Sequence, residues 1–189
     1  MARYTVFLDA CVLYPAPLRD LLLELTVTDL FAAKWSDMVH DEWIRNVLRD
    51  RPDLTRERLQ RTRQLMDAHA RDALVTGFEQ LMPIMELPDP DDRHVVAAAV
   101  KARADLVVTF NLKDFPAREL ARWNMEAQHP DEFLTHQFHL AEAQFLSSVR
   151  TVRQRLKNPP KSIEDYLDIL RAQGLLSTVR HLEAFSQFI

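Results

Sequence analysis

The feature that most constrains this chain is a pair of short runs, YTVFLD and ADLVVTF, that are apolar on both sides. In the first, Tyr4, Val6 and Leu8 point one way and Thr5 and Phe7 the other. A strand without a polar face has to be covered twice, as a central strand of a parallel sheet is. Helical spacing occupies the intervening sequence. Leu18, Leu21, Leu22 and Leu25 mark one stripe. Val39, Trp43 and Val47 mark another, behind Ser36 as N-cap and closed by Pro52. Thr55 caps the polar run TRERLQRTRQLMDAHA. DDRHVVAAAVKARA turns Val95, Val96, Ala99 and Val100 inward, with acids at its start where the helix dipole favours them. Strands alternating with helices predict βαβ units around a parallel sheet. From Pro130 the pattern is helical only: HLAEAQFLSSVRTVRQRLK reads as one long helix, NPPKS breaks it, and two shorter helices flank Gly174. The expected organisation is an α/β domain over residues 1–135 and a small all-helical extension over 136–189.

Composition removes several classes. With 47% hydrophobic and 28% charged residues the chain reads as an ordinary globular protein. A single cysteine, Cys11, rules out an intrachain disulfide and a cysteine-rich zinc site. Arg3 followed by an apolar run has the outline of a signal peptide, but Asp9 interrupts it. An Asp at mid-membrane costs about 2.5–3.5 kcal/mol on insertion scales. The expectation is a cytoplasmic protein with no membrane partner. A formal net charge of −4 lacks the basic footprint of a general nucleic-acid binder, so any such contact has to be local.

The acids are placed where chemistry would want them. Asp9 ends the first apolar run, and Asn111 and Asp114 lie just past the second. In open α/β sheets ligands bind outside those strand ends. Glu42 precedes the inward Trp43, and Asp91 and Asp92 open the helix that leads into the second run. Two unit charges 4 Å apart repel by about 4 kcal/mol at an effective dielectric of 20. Gathered carboxylates therefore need a cation, a basic side chain or shared protons. With oxygen donors alone, Mg²⁺ or Mn²⁺ is the natural ion, and such ions serve phosphodiester hydrolysis. Each acid also has a bland reading: Asp91 and Asp92 as helix-start residues, Asp114 as a turn residue, Glu42 as a solvated helix residue. Asp9, flanked by Phe7, Leu8, Ala10 and Cys11, is the hardest to read that way.

FLDACVLYPAPLRDLLL, WSDMVHDEW, LPDPDDRHVVAAAV and ADLVVTFNLKDFP, in this order, resemble the successive motifs of the PIN-domain family. In particular they resemble its longer bacterial members related to VapC-type toxins, and PPKS with EDYLDILRAQGL resembles their helical extension. The resemblance implies an α/β/α sandwich with a central parallel sheet, and a Mg²⁺- or Mn²⁺-dependent endoribonuclease. Position by position it makes Asp9 the first acid, Glu42 the second, Asp92 the third, preferred over the alternatives Asp91 and Asp89 for its spacing to VVAAA, and Asp114 the fourth. Asp9, Asp92 and Asp114 would hold the ion; Glu42 would bind a second ion or orient the attacking water. Thr109 and Asn111 match positions that hydrogen-bond the first acid or the metal shell. Ser36 matches a small hydroxyl residue there, which its N-cap role explains equally well. The resemblance also implies an RNA substrate, a cognate antitoxin and homodimer formation.

Arg93, Lys113 and Arg45 are the candidates for steering RNA. The stripe Arg150, Arg153 and Lys157 reads as a solvent face, His136 and His139 as surface histidines, and Cys11 as a small core residue. The rival reading is a non-catalytic binding module whose acidic pocket docks a basic partner.

Overall fold

The computed structural model describes residues 4–189; Arg3 lies outside them. Its sheet has five strands, β1 (Thr5–Leu8), β2 (Ala32–Ser36), β3 (Leu74–Val75), β4 (Leu106–Val108) and β5 (Glu126–Gln128). All pairings are parallel, in the order β3-β2-β1-β4-β5. The two apolar runs are the neighbours β1 and β4, with Val6 opposite Leu106 and Leu8 opposite Val108. Val6, Phe7, Leu8 and Leu106 to Val108 are fully buried, as strands covered on both faces must be.

Strands β2, β3 and β5 were not expected from the sequence. In β2 the charged Lys34 interrupts the apolar pattern, β3 is two residues long, and β5 is an edge strand of sequence EAQ. The topology carries a functional consequence. From β1 the chain steps outward through β2 to β3, then crosses back to β4 and β5 on the other side of β1. The order reverses between β1 and β4, and the crevice beyond the C-terminal ends of those two strands is where such sheets bind ligands.

Two helices follow β1, α1 (Ala10–Leu13) and α2 (Ala16–Thr26), and two follow β2, α3 (Asp37–Asp50) and α4 (Arg56–His69). Ser36 Oγ accepts from the Val39 amide at 3.3 Å and starts α3, whose Val39, Trp43 and Val47 are buried at the expected spacing. A polar chain ties α3 to α4. Trp35 Nε1 donates to Asp67 Oδ1 at 2.8 Å, His40 Nε2 lies 3.1 Å from the same oxygen, and Trp43 Nε1 donates to His40 Nδ1 at 2.9 Å. Because Nδ1 accepts, the His40 proton sits on Nε2; burial holds its pKa below the ordinary histidine value. The chain fixes the rotation of α3, and hence the side on which Glu42 emerges. Helix α5 (Arg93–Lys101) packs on β1, β2 and β4 through Val95 to Ala99, with Val100 only half-buried; the short α6 (Ala117–Ala121) follows β4.

The chain divides into two compact units, one up to Tyr14 plus Phe31–His129, the other Pro15–Leu30 plus Pro130–Ile189. The second comprises α2 with α7 (Pro130–Leu140), α8 (Glu142–Arg155), α9 (Ile163–Ala172) and α10 (Leu176–Ala184). A boundary at 135/136 would fall inside α7; the units part between His129 and Pro130. The run expected as one helix from His139 is broken at Ala141, whose φ of −152° is not helical. Leu18, Leu21, Leu22 and Leu25 of α2 are fully buried, and α2 packs on α8 and α9. Arg155 pairs with Glu24 at 2.6 Å.

Asp131 of α7 caps the start of α10: its carboxylate accepts from the Ser177 amide, the Thr178 amide and the Thr178 hydroxyl, each at 2.8 Å. Arg153, expected on a solvent stripe, instead donates to the Lys161 and Ile189 carbonyls. Among the described residues no helix is long and apolar enough to cross a membrane.

Candidate active site

Asp9 follows β1 at the switch point and caps α1. Its carboxylate is 5% exposed and accepts three hydrogen bonds, from the Ala10 amide on Oδ1 (2.6 Å) and from Thr109 Oγ1 (2.7 Å) and Cys11 Sγ (3.1 Å) on Oδ2. The donors are themselves held. The Asn111 amide donates to Thr109 Oγ1 at 3.0 Å, which directs the hydroxyl proton at Asp9, and the Phe110 amide donates to Cys11 Sγ at 3.3 Å. Burial and the charge of Asp9 push the Cys11 thiol pKa up, so the sulfur stays protonated and donates. Burial raises the Asp9 pKa, and Glu42 adds to the effect; the three donors oppose them without cancelling them. The group is hydrogen-bonded yet short of positive charge.

The other acids converge on it electrostatically. Asp92 ends a single 3₁₀ turn, Pro90–Asp92, ahead of α5. Its pKa is pushed up to about 7, by burial first and then by the charges of Asp9, Asp89, Asp114 and Glu42. Asp114 closes the 3₁₀ turn Leu112–Asp114 after β4, and Glu42 projects from α3 with its side chain 30% exposed. Asp9, Glu42, Asp92 and Asp114 thus share one field at the switch point. Asp91 is exposed, and Asp89 acts on Asp92 while capping the turn through the Asp91 amide at 2.9 Å. Ser36 is fully buried in its capping bond, and Asn111 is exposed and takes part through its amide. Arg45 and Lys113 are exposed; Arg93 is half-buried, and its Nε has no hydrogen-bond partner.

Two contributors escaped sequence reasoning. Cys11 reads as core from its apolar neighbours, yet it donates to Asp9. His94 reads as one more buried position of α5, yet its Nε2 lies 3.3 Å from Glu42 Oε2. Among the described residues no three Asp, Glu, His or Cys side chains are drawn together at ligand distance, so the acids share a field without forming a closed cage. The donor set still suits a small hard cation: carboxylate oxygens only, with two carboxyls raised by burial and then by the charges of their acidic neighbours.

A five-stranded parallel sheet with acids at the β1/β4 switch point defines an α/β fold built around an acidic crevice. Residues 5–113 match the PIN domain family, more than half of the chain, and the chain belongs to that family. Residues 130–184 match the VapC50 C-terminal domain. Among curated proteins, the chain is 40% identical over 101 residues to "Putative ribonuclease VapC50" of Mycobacterium tuberculosis. That match covers 53% of this chain and 59% of the relative, so the chain spans less than two thirds of the relative's length. No solved structure matches it.

Proposed function

We propose that this chain is a divalent-metal-dependent endoribonuclease, the toxin of a type II toxin–antitoxin pair, acting in the cytoplasm. The observation that carries the reading is the buried Asp9 carboxylate at the end of β1, held by three neutral donors, with Asp92 close by. Burial first, and then the charges of Asp9, Asp89, Asp114 and Glu42, push the Asp92 carboxyl up to about 7. Acids tolerate such crowding where a cation belongs. The ribonuclease name of the VapC50 relative and the PIN family match point the same way.

Asp9, Asp92 and Asp114 would hold Mg²⁺ or Mn²⁺, directly or through water, and Glu42 would hold a second ion or orient the attacking water. The bound ion supplies neutralising charge for the phosphate and a lowered pKa for water. Thr109, Cys11 and the Ala10 amide keep the Asp9 carboxylate in one orientation, so little reorganisation is needed when substrate arrives. Arg93, Lys113 and Arg45 would attract the RNA backbone, a contribution that weakens with salt. Water adding across a P–O3′ bond leaves a 5′-phosphate and a 3′-hydroxyl. A cognate antitoxin would supply a basic side chain to the acids, and two copies would form a homodimer.

The test is cleavage of a fluorogenic RNA by the purified, partner-free chain. Cleavage is expected with Mn²⁺ or Mg²⁺, lost with EDTA and lost in Asp9→Asn. An Asp9→Asn variant that cleaves as fast as the parent would overturn the assignment. A folded parent that cleaves nothing with either ion would leave the acids as a docking pocket for a basic partner.

A further inference from the structure

His94 is the second residue of α5, two positions after Asp92, and is 5% exposed. Its Nε2 faces Glu42 Oε2 at 3.3 Å, while Nδ1 is buried without a hydrogen-bond partner. A carboxylate oxygen can only accept, so the proton that faces Glu42 is carried on Nε2. A histidine present only to fill the core would waste both nitrogens, because burying an unpaired polar atom is costly. Glu42, in contrast, needs restraint. It stands in the repulsive field of Asp9 and Asp92, on a helix surface from which a partly exposed side chain can swing into water.

We propose that His94 is the positioning residue for Glu42: its Nε2–H holds that carboxylate among the other acids, and so sets the protein's affinity for the divalent ion. The inference rests on reading the four acids as an ion site. Neither imidazole nitrogen is a ligand. The residue works by removing the freedom of Glu42 to retreat, as outer-shell hydrogen bonds to ligating groups do.

Calorimetric titration of the full chain with Mn²⁺, without RNA, tests this directly. His94→Leu fills the buried space and should weaken Mn²⁺ binding about 10- to 100-fold, the range for losing an outer-shell partner. His94→Gln, whose amide N–H falls near Nε2, should recover most of the loss. In a Glu42→Gln background His94→Leu should change Mn²⁺ affinity no further, because its effect runs through that carboxylate. The inference is overturned if folded His94→Leu binds Mn²⁺ like the parent, or loses as much affinity in the Glu42→Gln background. Should His94→Leu fail to fold, His94→Gln against His94→Asn decides: the shorter amide reaches only the Nδ1 position, and equal affinities sink the proposal. Failure of the ion-site reading looks different, because parent and Asp9→Asn would then bind Mn²⁺ equally or not at all, and the role of His94 would fall with it.

Discussion

Asp9 and Asp131 are two aspartates that each accept several short hydrogen bonds, and their carboxyls move in opposite directions. At Asp131 burial alone would raise the pKa, but the donors from Ser177 and Thr178 outweigh it and hold the group below its ordinary value. At Asp9 the donors lose to burial and to the charge of Glu42. The α10 cap is complete as it stands, since the charge meets the orphan amides of a helix start. The crevice is incomplete, because the groups that bear on Asp9, namely Thr109, Cys11, the Ala10 amide and Glu42, are neutral or acidic. Similar hydrogen bonding thus conceals opposite roles: one aspartate holds the fold together, the other is held by it.

The comparison can be broken most directly at Asp9. Asp9→Asn should lower metal-dependent RNA cleavage by more than the roughly hundred-fold expected for an outer-shell partner, while its melting temperature stays at or above that of the parent. Thr109→Val removes one donor and the anchor for the Asn111 amide; a fall of about ten-fold in cleavage is expected, largely restored by Thr109→Ser. Asp131→Ala should instead cost about 1–2 kcal/mol of stability in denaturant unfolding and leave cleavage in Mn²⁺ unchanged where the protein is folded.

The pH dependence of stability sharpens the contrast, with opposite signs. The Asp131 pKa is depressed in the folded state, so its stabilisation is present above the unfolded value near 4 and lost as pH falls through the folded one. The Asp92 pKa is raised to about 7, so its contribution is present below about 4 and lost as pH rises to 7. Without metal, Asp92→Asn should therefore be more stable than the parent at pH 8, by about 1 kcal/mol after solvent screening of a half-exposed group, and no more stable at pH 4. Melting curves at the two pH values would show it.

Much of this architecture was legible. The doubly apolar runs marked β1 and β4, and the 3.6-residue stripes marked α2, α3 and α5, because those elements bury faces that leave a periodic trace. Strands β2, β3 and β5 left little: they are short, and hydrogen bonds to neighbouring strands (β2 to β1, β3 to β2, β5 to β4) make them strands more than any local preference does. In the crevice, Asp9 was conspicuous because nothing around it was polar. His94 and Cys11 were not, since a histidine or cysteine in an apolar run looks like core until the atom it faces is known. The place of α2 among the C-terminal helices had no local signal either; its leucine stripe is indifferent to which partner covers it.

That placement of α2 has a consequence for synthesis. The helix leaves the ribosome early, yet α8 and α9, which cover its leucines, are encoded more than a hundred residues later. At about 5–20 residues per second, this greasy stripe waits on the order of ten seconds for its cover. During that interval it is a natural hold for a chaperone, and a chain that stops short of α8 would keep it bare for good.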